Sequence, residues 1–247
     1  MKFTLGDHLD MRADLDNLQQ TYERLGVDVV RLPSLTTDAV FHRDVSAWTP
    51  NGLIKANMMK QTRRWEPNEW LNQLGLTRAD VGVRKNTPRL FGHARFEGAD
   101  LHFMSPTRAL LAYGARTTHQ AAKAIADWLL EWDVKVTGFE LPYKHPQHLL
   151  GCVNTINDRI FETSYFGVSI CAGAIPLPAS TYKSKGTNWV QVGGAIVVSD
   201  AIDDETFEIL ERHARVITVP IPSLLAHGGG VACATGILEY DFQPTRV

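Results

Sequence analysis

Two stretches of the chain place apolar residues at the three- and four-residue spacing of an amphipathic helix. The first covers residues 10–25 and stops at Gly26, and its apolar side is formed by Leu15, Leu18, Tyr22 and Leu25. The second covers residues 119–132, and its apolar side is formed by Ala122, Ile125, Ala126, Leu129 and Leu130. We therefore predict two helices that each bury one face against a core.

Short stretches rich in valine and isoleucine alternate with these helices. Strands are predicted at residues 27–32, 134–139 and 216–219, a further helix at 203–213, and hairpin turns at Asn51-Gly52 and Asn157-Asp158. The order strand, strand, helix, strand recurs, and no Pro/Ser-rich linker interrupts it. This order predicts an α/β protein built from small repeated units in a single domain, residues 1–247.

Composition narrows the class of protein. With 44% hydrophobic and 21% charged residues, the 247-residue chain has ample apolar area for a core. A net charge of −2 gives no reason to expect binding to nucleic acid or an anionic membrane. Three cysteines without a CxxC pair disfavour a disulfide framework and favour a reducing compartment. The polar residues after Met1 and the lack of a membrane-length apolar run predict a cytoplasmic protein.

Four residues with potentially catalytic side chains lie in predicted loops or at strand ends: Asp44, Glu97, His148 and Cys233. A thiolate can attack a cationic carbon, a histidine can transfer protons near neutral pH, and carboxylates can orient the histidine and hold a cation. Cys233 follows three glycines at residues 228–230. By itself, this glycine stretch also fits a turn before a buried structural cysteine.

Motifs around these residues occur in a fixed order along the chain. They are FHRDVSAW at residues 41–48, RRWE at 63–66, FEGAD at 96–100, GARTT at 114–118, HLL at 148–150 and GGGVAC at 228–233. Through this ordered set the chain resembles the guanidine-modifying superfamily of arginine deiminases, dimethylarginine dimethylaminohydrolases and amidinotransferases. The resemblance covers most of the chain, from about Asp38 to the region of Cys233.

The resemblance implies a fold and a set of catalytic roles. The fold would be α/β, a five-bladed α/β propeller (pentein) of pseudo-symmetric ββαβ modules around a central active site. Cys233 would be the nucleophile, and His148 would protonate the leaving nitrogen and then activate water. Glu97 would orient His148 and help bind the guanidinium. Asp44 would bind guanidinium nitrogens by charge-assisted hydrogen bonds. No cofactor is implied, no nucleotide-binding motif occurs, and His145 with His148 alone does not make a metal site.

Three further positions concern the substrate. By resemblance, Arg63 and Arg116 match two arginines that hold a substrate α-carboxylate, a task for which the planar guanidinium is suited. Asp38 matches the residue that receives the α-ammonium in the dimethylaminohydrolases. Together these residues favour an arginine-like amino acid over a bare guanidine such as agmatine. The expected partner is a small guanidino substrate, with no nucleic acid or membrane, and assembly into a homo-oligomer is left open.

Some positions depart from the superfamily pattern. Leu150 stands where deiminases and amidinotransferases carry a second aspartate, so we expect a less polar guanidine site that accommodates an N-alkylated guanidinium. Ala232 stands where an arginine often precedes the nucleophile. The N-terminus is short, which leaves open whether the family's first strand and the lid loop near it are kept, rebuilt or missing. Residues 2–5 are predicted to form a short strand. We interpret residues 228–230 as room for a flat guanidinium to approach the thiol.

Three functions are compatible with these residues. The first is a hydrolase that converts arginine or an Nω-substituted arginine to citrulline or another ureido product through a covalent thiouronium. The second is an amidinotransferase, in which an amine acceptor replaces water. The third is an inactive guanidino-acid-binding module, which the retained Cys233, His148 and Glu97 disfavour because a binding protein needs no thiol.

Overall fold

The computed structural model describes residues 1–76, 90, 93–141, 148–163, 169 and 171–241. The chain divides into two compact units, the first comprising Met1–His42 with Leu150–Val247 and the second Arg43–Leu149. The single domain over residues 1–247 stays a prediction.

Short strands and helices make up both units. The described strands are β1 Lys2–Asp7, β2 Asp28–Pro33, β3 Ser46–Thr49, β4 Gly52–Lys55, β5 Leu101–Ser105, β6 Arg108–Tyr113, β7 Lys135–Glu140, β8 Val153–Ile156, β9 Arg159–Thr163, β10 Ile175–Leu177, β11 Val190–Val192, β12 Ala195–Ser199, β13 Arg215–Val219 and β14 Gly236–Glu239. The described α-helices are α1 Arg12–Arg24, α2 His42–Val45, α3 Glu66–Gln73, α4 His119–Leu130, α5 Ser180–Lys183, α6 Asp204–Glu211, α7 Pro222–Ala226 and α8 Val231–Ala234. Single 3-10 turns cover Leu9–Met11, Thr37–Val40, Gln61–Arg63, Gly98–Asp100 and Leu149–Gly151.

The first unit contains three small sheets among its described residues. β1 lies between β14 and β2, β9 between β10 and β8, and β12 between β11 and β13. Helix α1 packs on β1 and β2 and buries Leu15 and Leu18 completely. The helix predicted at residues 10–25 is therefore confirmed, with its first turn replaced by the 3-10 turn Leu9–Met11. The short strand predicted at residues 2–5 is present as β1.

The second unit contains the β3-β4 hairpin and the three-stranded sheet β5-β6-β7. The hairpin turns at Gly52, whose φ of +120° is a conformation that side chains with a Cβ rarely adopt. Helix α4 packs on β6 and β7, and the side chain of Thr118 caps its N-terminus by accepting the Ala121 N–H at 3.3 Å. The predicted hairpin turn and the predicted second helix are both confirmed.

The same small module occurs in each unit. An antiparallel strand pair is followed by a helix and by a strand parallel to the second member of the pair, as in β5-β6-α4-β7 and β11-β12-α6-β13. The side chain of Asp203 starts α6 by accepting the Thr206 N–H at 2.7 Å. The predicted ββαβ rhythm is thus present in the described chain. Among the described residues, no helix has both the length and the apolar character that a membrane crossing requires.

Candidate active site

Asp44, Glu97 and His148 converge within the second unit. Asp44 lies in the short helix α2, Glu97 directly precedes the turn Gly98–Asp100, and His148 directly precedes the turn Leu149–Gly151. One carboxylate oxygen of Asp44, one of Glu97 and one ring nitrogen of His148 all lie within 4.8 Å of one another. Three of the four predicted catalytic residues are therefore neighbours, although they are far apart along the chain.

A hydrogen bond joins His148 to Glu97. The imidazole Nε2 lies 2.7 Å from Glu97 Oε2, and the other carboxylate oxygen accepts the Met59 N–H at 3.1 Å. Nη1 of Arg116 lies 3.7 Å from the same Oε2. Glu97 is fully buried, so its charge is compensated by a histidine, an arginine and a backbone amide instead of water.

The carboxylates around His148 favour its protonated form. Burial alone would lower the pKa of His148, but the charges of Asp44 and Asp100 and the hydrogen bond to Glu97 raise it to about 9. Burial would raise the pKa of Glu97, but its interaction with His148 lowers it. At neutral pH this pair is an imidazolium and a carboxylate, so His148 is ready to donate a proton.

The two oxygens of Asp44 have different surroundings. Oδ2 accepts a hydrogen bond from Nη1 of Arg63 at 2.7 Å. Oδ1 is buried, lies 3.5 Å from Nδ1 of His148, and accepts no hydrogen bond from any described residue. A buried carboxylate oxygen without a donor is uncommon and suits a cationic ligand that brings its own N–H groups.

Arg63 and Arg116 differ in their accessibility. The side chain of Arg63 is 6% exposed and is bound to Asp44 and to Glu66, so its role in holding an α-carboxylate stays a prediction. The side chain of Arg116 is 25% exposed and lies beside Glu97. Arg116 therefore combines proximity to the Asp44, Glu97 and His148 cluster with access for a substrate anion.

The sequence motifs contained two positioning residues to which the sequence assigned no role, Asp100 and Thr117. The hydroxyl of Thr117 accepts the Glu97 N–H at 3.2 Å and donates to Asp100 Oδ2 at 2.6 Å. Oδ1 of Asp100 accepts the Leu149 N–H at 3.0 Å. This chain of bonds connects the backbone of Glu97 with the backbone next to His148. Burial raises the pKa of Asp100 to about 6.

Gly98 explains how Glu97 comes so close to the segment that carries Asp44. A Cβ at this position would overlap the backbone of Ser46 and lie 2.5 Å from the carbonyl oxygen of Arg43. Only a residue without a side chain permits this approach of two backbones. The glycine of the FEGAD motif therefore brings together the two carboxylates, Glu97 and Asp44.

In the first unit, Cys233 lies on the single-turn helix α8 and is partly exposed, whereas Cys152 and Cys171 are buried. Burial raises the pKa of Cys171 to about 12, which makes it a poor nucleophile. Among the three cysteines, Cys233 is the one whose exposure suits a reaction with a substrate.

Asn188 holds the backbone around Cys233 and was missed by the sequence analysis. Its carbonyl accepts the Ala232 N–H at 3.0 Å, and its side-chain Oδ1 accepts the Cys233 N–H at 3.0 Å. Its Nδ2 donates to the carbonyl of Leu150 at 3.1 Å. Asn188 is buried and carries no motif signal, because its partners are defined only after folding.

Two of the three glycines before Cys233, Gly229 and Gly230, pack closely against other side chains. Gly228 has a φ of +82°. A Cβ on Gly229 would overlap the ring of Phe41, and one on Gly230 would lie 2.7 Å from Oδ1 of Asn188. The space beside Gly229 and Gly230 is therefore occupied by these two side chains, and their interpretation as room for a guanidinium is replaced by a packing role.

The remaining positions to which the sequence assigned a meaning are Leu150, Ala232 and Asp38. Leu150 and Ala232 are buried in one apolar cluster of the first unit. Asp38 lies in the turn Thr37–Val40, where its backbone carbonyl accepts the Phe41 N–H at 3.2 Å. Its role as the ammonium ligand stays a prediction.

Asp44, Glu97 and His148 also have the side-chain types that could bind a metal ion in place of an organic cation. Its binding would require the 2.7 Å bonds of Glu97 to His148 and of Asp44 to Arg63 to be broken or rearranged. A guanidinium needs no such change, because it can donate to the buried Oδ1 of Asp44. The geometry therefore favours an organic cation.

Comparison with solved structures identifies the fold. The structure resembles a dimethylarginine dimethylaminohydrolase adduct with 4-chloro-2-hydroxymethylpyridine, at a TM-score of 0.77 and 16% identity, covering 95% of this chain and 98% of the other. It also resembles the N-terminal domain of ArgZ, an arginine dihydrolase from the ornithine-ammonia cycle in Cyanobacteria, at a TM-score of 0.76 and 18% identity, covering 95% and 96%. Unliganded AgrE matches at a TM-score of 0.76 and 16% identity, covering 95% of this chain and 38% of AgrE. The predicted α/β pentein fold class is confirmed.

The sequence comparison identifies the family. A model of the arginine deiminase family matches residues 36–160, half of the chain. A search of curated protein sequences found no match. The fold and the family define an enzyme of the class that hydrolyses C–N bonds of amidines. The chain belongs to the arginine deiminase family.

Proposed function

We propose that this enzyme hydrolyses the guanidinium group of arginine or an Nω-substituted arginine, and that the products are citrulline or another ureido acid and an amine or ammonia. The observation that carries the proposal is the buried Oδ1 of Asp44, which receives no hydrogen bond from the part of the chain that the structure describes and lies beside a protonated His148. This arrangement offers an acceptor for a cationic N–H and a proton for a leaving nitrogen.

The structures of relatives agree with this substrate class. One ArgZ structure contains its substrate, one AgrE structure contains L-arginine, and one dimethylarginine dimethylaminohydrolase structure carries an adduct with S-methyl-L-thiocitrulline. All three ligands of these proteins fit the class of arginine or an arginine-like amino acid. We transfer this class to the present chain as part of the proposal.

The reaction would proceed in two steps. The Cys233 thiolate attacks the guanidinium carbon, the C–N bond to the leaving nitrogen breaks, and His148 gives that nitrogen its proton, which leaves an S-alkyl thiouronium. Water then attacks the same carbon and passes a proton to His148. The C–S bond then breaks and the remaining O–H proton is released to solvent, which regenerates the thiolate and gives a neutral ureido group. Glu97 orients His148 throughout.

Substrate recognition would use both charged ends of an amino acid. Asp44 would accept hydrogen bonds from the guanidinium, and the partly exposed Arg116 would bind the α-carboxylate. Asp38 would receive the α-ammonium. The absence of a second aspartate at Leu150 supports tolerance of an alkyl group on the guanidinium.

A mass-balance screen tests the reaction. The purified protein is incubated with arginine, methylarginines, agmatine and other guanidino acids, with and without an amine acceptor, and the products are quantified by mass spectrometry. A ureido product formed without an acceptor supports the hydrolase. Amidinated acceptor without ureido product would establish an amidinotransferase instead, and no turnover of any compound would favour a binding protein.

Trapping tests the nucleophile. Acid quenching during turnover should leave a covalent amidino adduct that peptide mapping places on Cys233, and the adduct should be absent from Cys233→Ser. An adduct on Cys152 or Cys171 would refute the assignment of the nucleophile.

A further inference from the structure

The guanidinium of Arg63 is hydrogen-bonded to two carboxylates, those of Glu66 and Asp44. Arg63 ends the turn Gln61–Arg63, and Glu66 begins α3 three residues later. Nε of Arg63 lies 2.9 Å from both carboxylate oxygens of Glu66, and Nη2 lies 2.7 Å from Oε2. The remaining nitrogen, Nη1, donates to Asp44 Oδ2 at 2.7 Å. This is a fork-like pairing of the kind that holds a guanidinium in one orientation.

Because all three side chains are buried, separating the Arg63 guanidinium from its two carboxylates would cost free energy. The side chains of Arg63, Asp44 and Glu66 are only 6%, 5% and 4% exposed. If Arg63 turned away to bind a substrate carboxylate, the buried carboxylates of Glu66 and Asp44 would each lose their ion pair with Arg63. Burial alone would lower the pKa of Arg63, but Asp44 and Glu66 raise it, so the guanidinium stays charged.

The pairing also determines how Asp44 faces a ligand. Because Arg63 holds Oδ2, the carboxylate of Asp44 cannot rotate freely about its terminal bond. Oδ1 is thereby kept 3.5 Å from Nδ1 of His148 and without a described hydrogen-bond donor. A guanidinium N–H would meet an oxygen that is already oriented.

We infer that Arg63 is a positioning residue that, together with Glu66, orients Asp44 to bind the substrate guanidinium, and that it is not a ligand of the substrate carboxylate. The inference rests on the proposed function and replaces the role that the family resemblance gave to Arg63. Of the two predicted carboxylate ligands, Arg116 then remains. Arg63 should affect every guanidinium ligand, whereas Arg116 should affect only ligands that carry a carboxylate.

Arginine and agmatine distinguish the role of Arg63 from that of Arg116, because agmatine has the guanidinium of arginine and lacks its carboxylate. Binding of both is measured by calorimetry in a Cys233→Ser background, where turnover does not interfere. Arg63→Lys and Glu66→Gln should each weaken both ligands by a similar factor, about 10- to 100-fold, as expected for loss of a hydrogen bond to a charged group. Arg116→Lys should weaken arginine alone. Arg64→Lys, a change in the exposed neighbouring arginine, should alter neither affinity.

Selective weakening of arginine by Arg63→Lys would overturn the inference, as would affinities unchanged in both Arg63→Lys and Glu66→Gln. Because Arg63→Lys could unfold the protein, thermal unfolding is measured for every variant, and Glu66→Gln gives the same test with the arginine intact. A Cys233→Ser protein that binds neither ligand would also refute the inference, since Asp44 would then bind no guanidinium.

Turnover distinguishes failure of the inference from failure of the proposed function. If Cys233→Ser shows the expected binding pattern while the unmodified protein forms no ureido product, the hydrolase proposal fails and the role of Arg63 stands. If the unmodified protein is active, Arg63→Lys should lower kcat/KM for arginine and agmatine in the same proportion.

Discussion

The imidazole Nε2 of His148 donates a hydrogen bond to a carboxylate oxygen of Glu97 across 2.7 Å. Glu97 is fully buried and His148 nearly so, at 13% side-chain exposure. In a region with little water, such a pair strongly favours the imidazolium and the carboxylate over any other charge state. The resting protonation of His148 is therefore set by Glu97 together with Asp44 and Asp100.

This bond predicts the pH dependence of the reaction. His148 acts as an acid in the first step and its pKa is about 9, so kcat/KM should fall as the pH rises through about 9. Glu97→Gln should lower the pKa of His148 and move this fall to lower pH. The measurement is a pH–rate profile, combined with NMR titration of the His148 ring. Glu131→Gln, at the exposed end of α4, is the control and should leave the profile unchanged. An unshifted profile in Glu97→Gln would refute the coupling.

The same pKa predicts a trend in stability. The pKa of His148 rises from an ordinary 6.5 to about 9 on folding, so its protonation stabilises the fold fully below about pH 6.5. This contribution should be lost as the pH rises through about 9. The difference in free energy of unfolding between the unmodified protein and His148→Gln, measured by urea titration, should therefore shrink over this pH window. A difference that grows with pH would contradict the assigned direction of the shift.

Asn188 should matter for Cys233 beyond its effect on stability. Asn188→Ala removes the acceptor of the Cys233 N–H and the donor to Leu150, and it should cost roughly 1–3 kcal/mol of unfolding free energy. It should also slow alkylation of Cys233 by iodoacetamide under native conditions and reduce kcat. Ile156→Val, which removes one methyl group from the core of the same unit, should cost about 0.5–1.5 kcal/mol without these effects. Equal loss of alkylation rate in both variants would reduce Asn188 to a structural role.

Gly229 should tolerate no side chain. Gly229→Ala would drive a methyl group into the ring of Phe41, and we expect it to destabilise the protein by about 1–3 kcal/mol. Gly194→Ala is a matched control, because a Cβ there would meet no atom within 4 Å. Thermal and urea unfolding should show a clear loss for the first variant and little change for the second. Similar unfolding curves for both would show that Phe41 moves aside at low cost.

Leu150 should not accept the aspartate that other superfamily members carry. Its side chain is 1% exposed and packs in an apolar cluster with Phe41, Val231 and Ala232. Leu150→Asp would place a carboxylate there and should destabilise the protein by several kcal/mol, whereas Leu150→Met should cost less than about 1.5 kcal/mol. Unfolding free energies check this order. A stable Leu150→Asp protein would mean that the new carboxylate finds a polar partner.

Much of the local structure was predictable from the sequence. The apolar spacing of residues 10–25 and 119–132 predicted α1 and α4 because each helix buries one side, and Asn51-Gly52 predicted the β3-β4 turn. The ordered motifs predicted the family and the fold, which the comparisons confirmed. The motifs also singled out Asp44, Glu97 and His148, and these residues meet in the structure.

The sequence by itself therefore determined the elements, the family and the chemical types at the site, since these depend on local patterns and on residue identity. Only the tertiary structure decided the partners of each charge. Arg63 was predicted to face a substrate carboxylate, but folding places Asp44 and Glu66 around it, and only one of these lies nearby in sequence. Asn188 likewise had no signal, because its contacts with Cys233 and Leu150 join segments about forty residues apart. The hydrogen-bond partners of a buried polar group are the groups that folding brings next to it, and local sequence patterns do not show which groups these are.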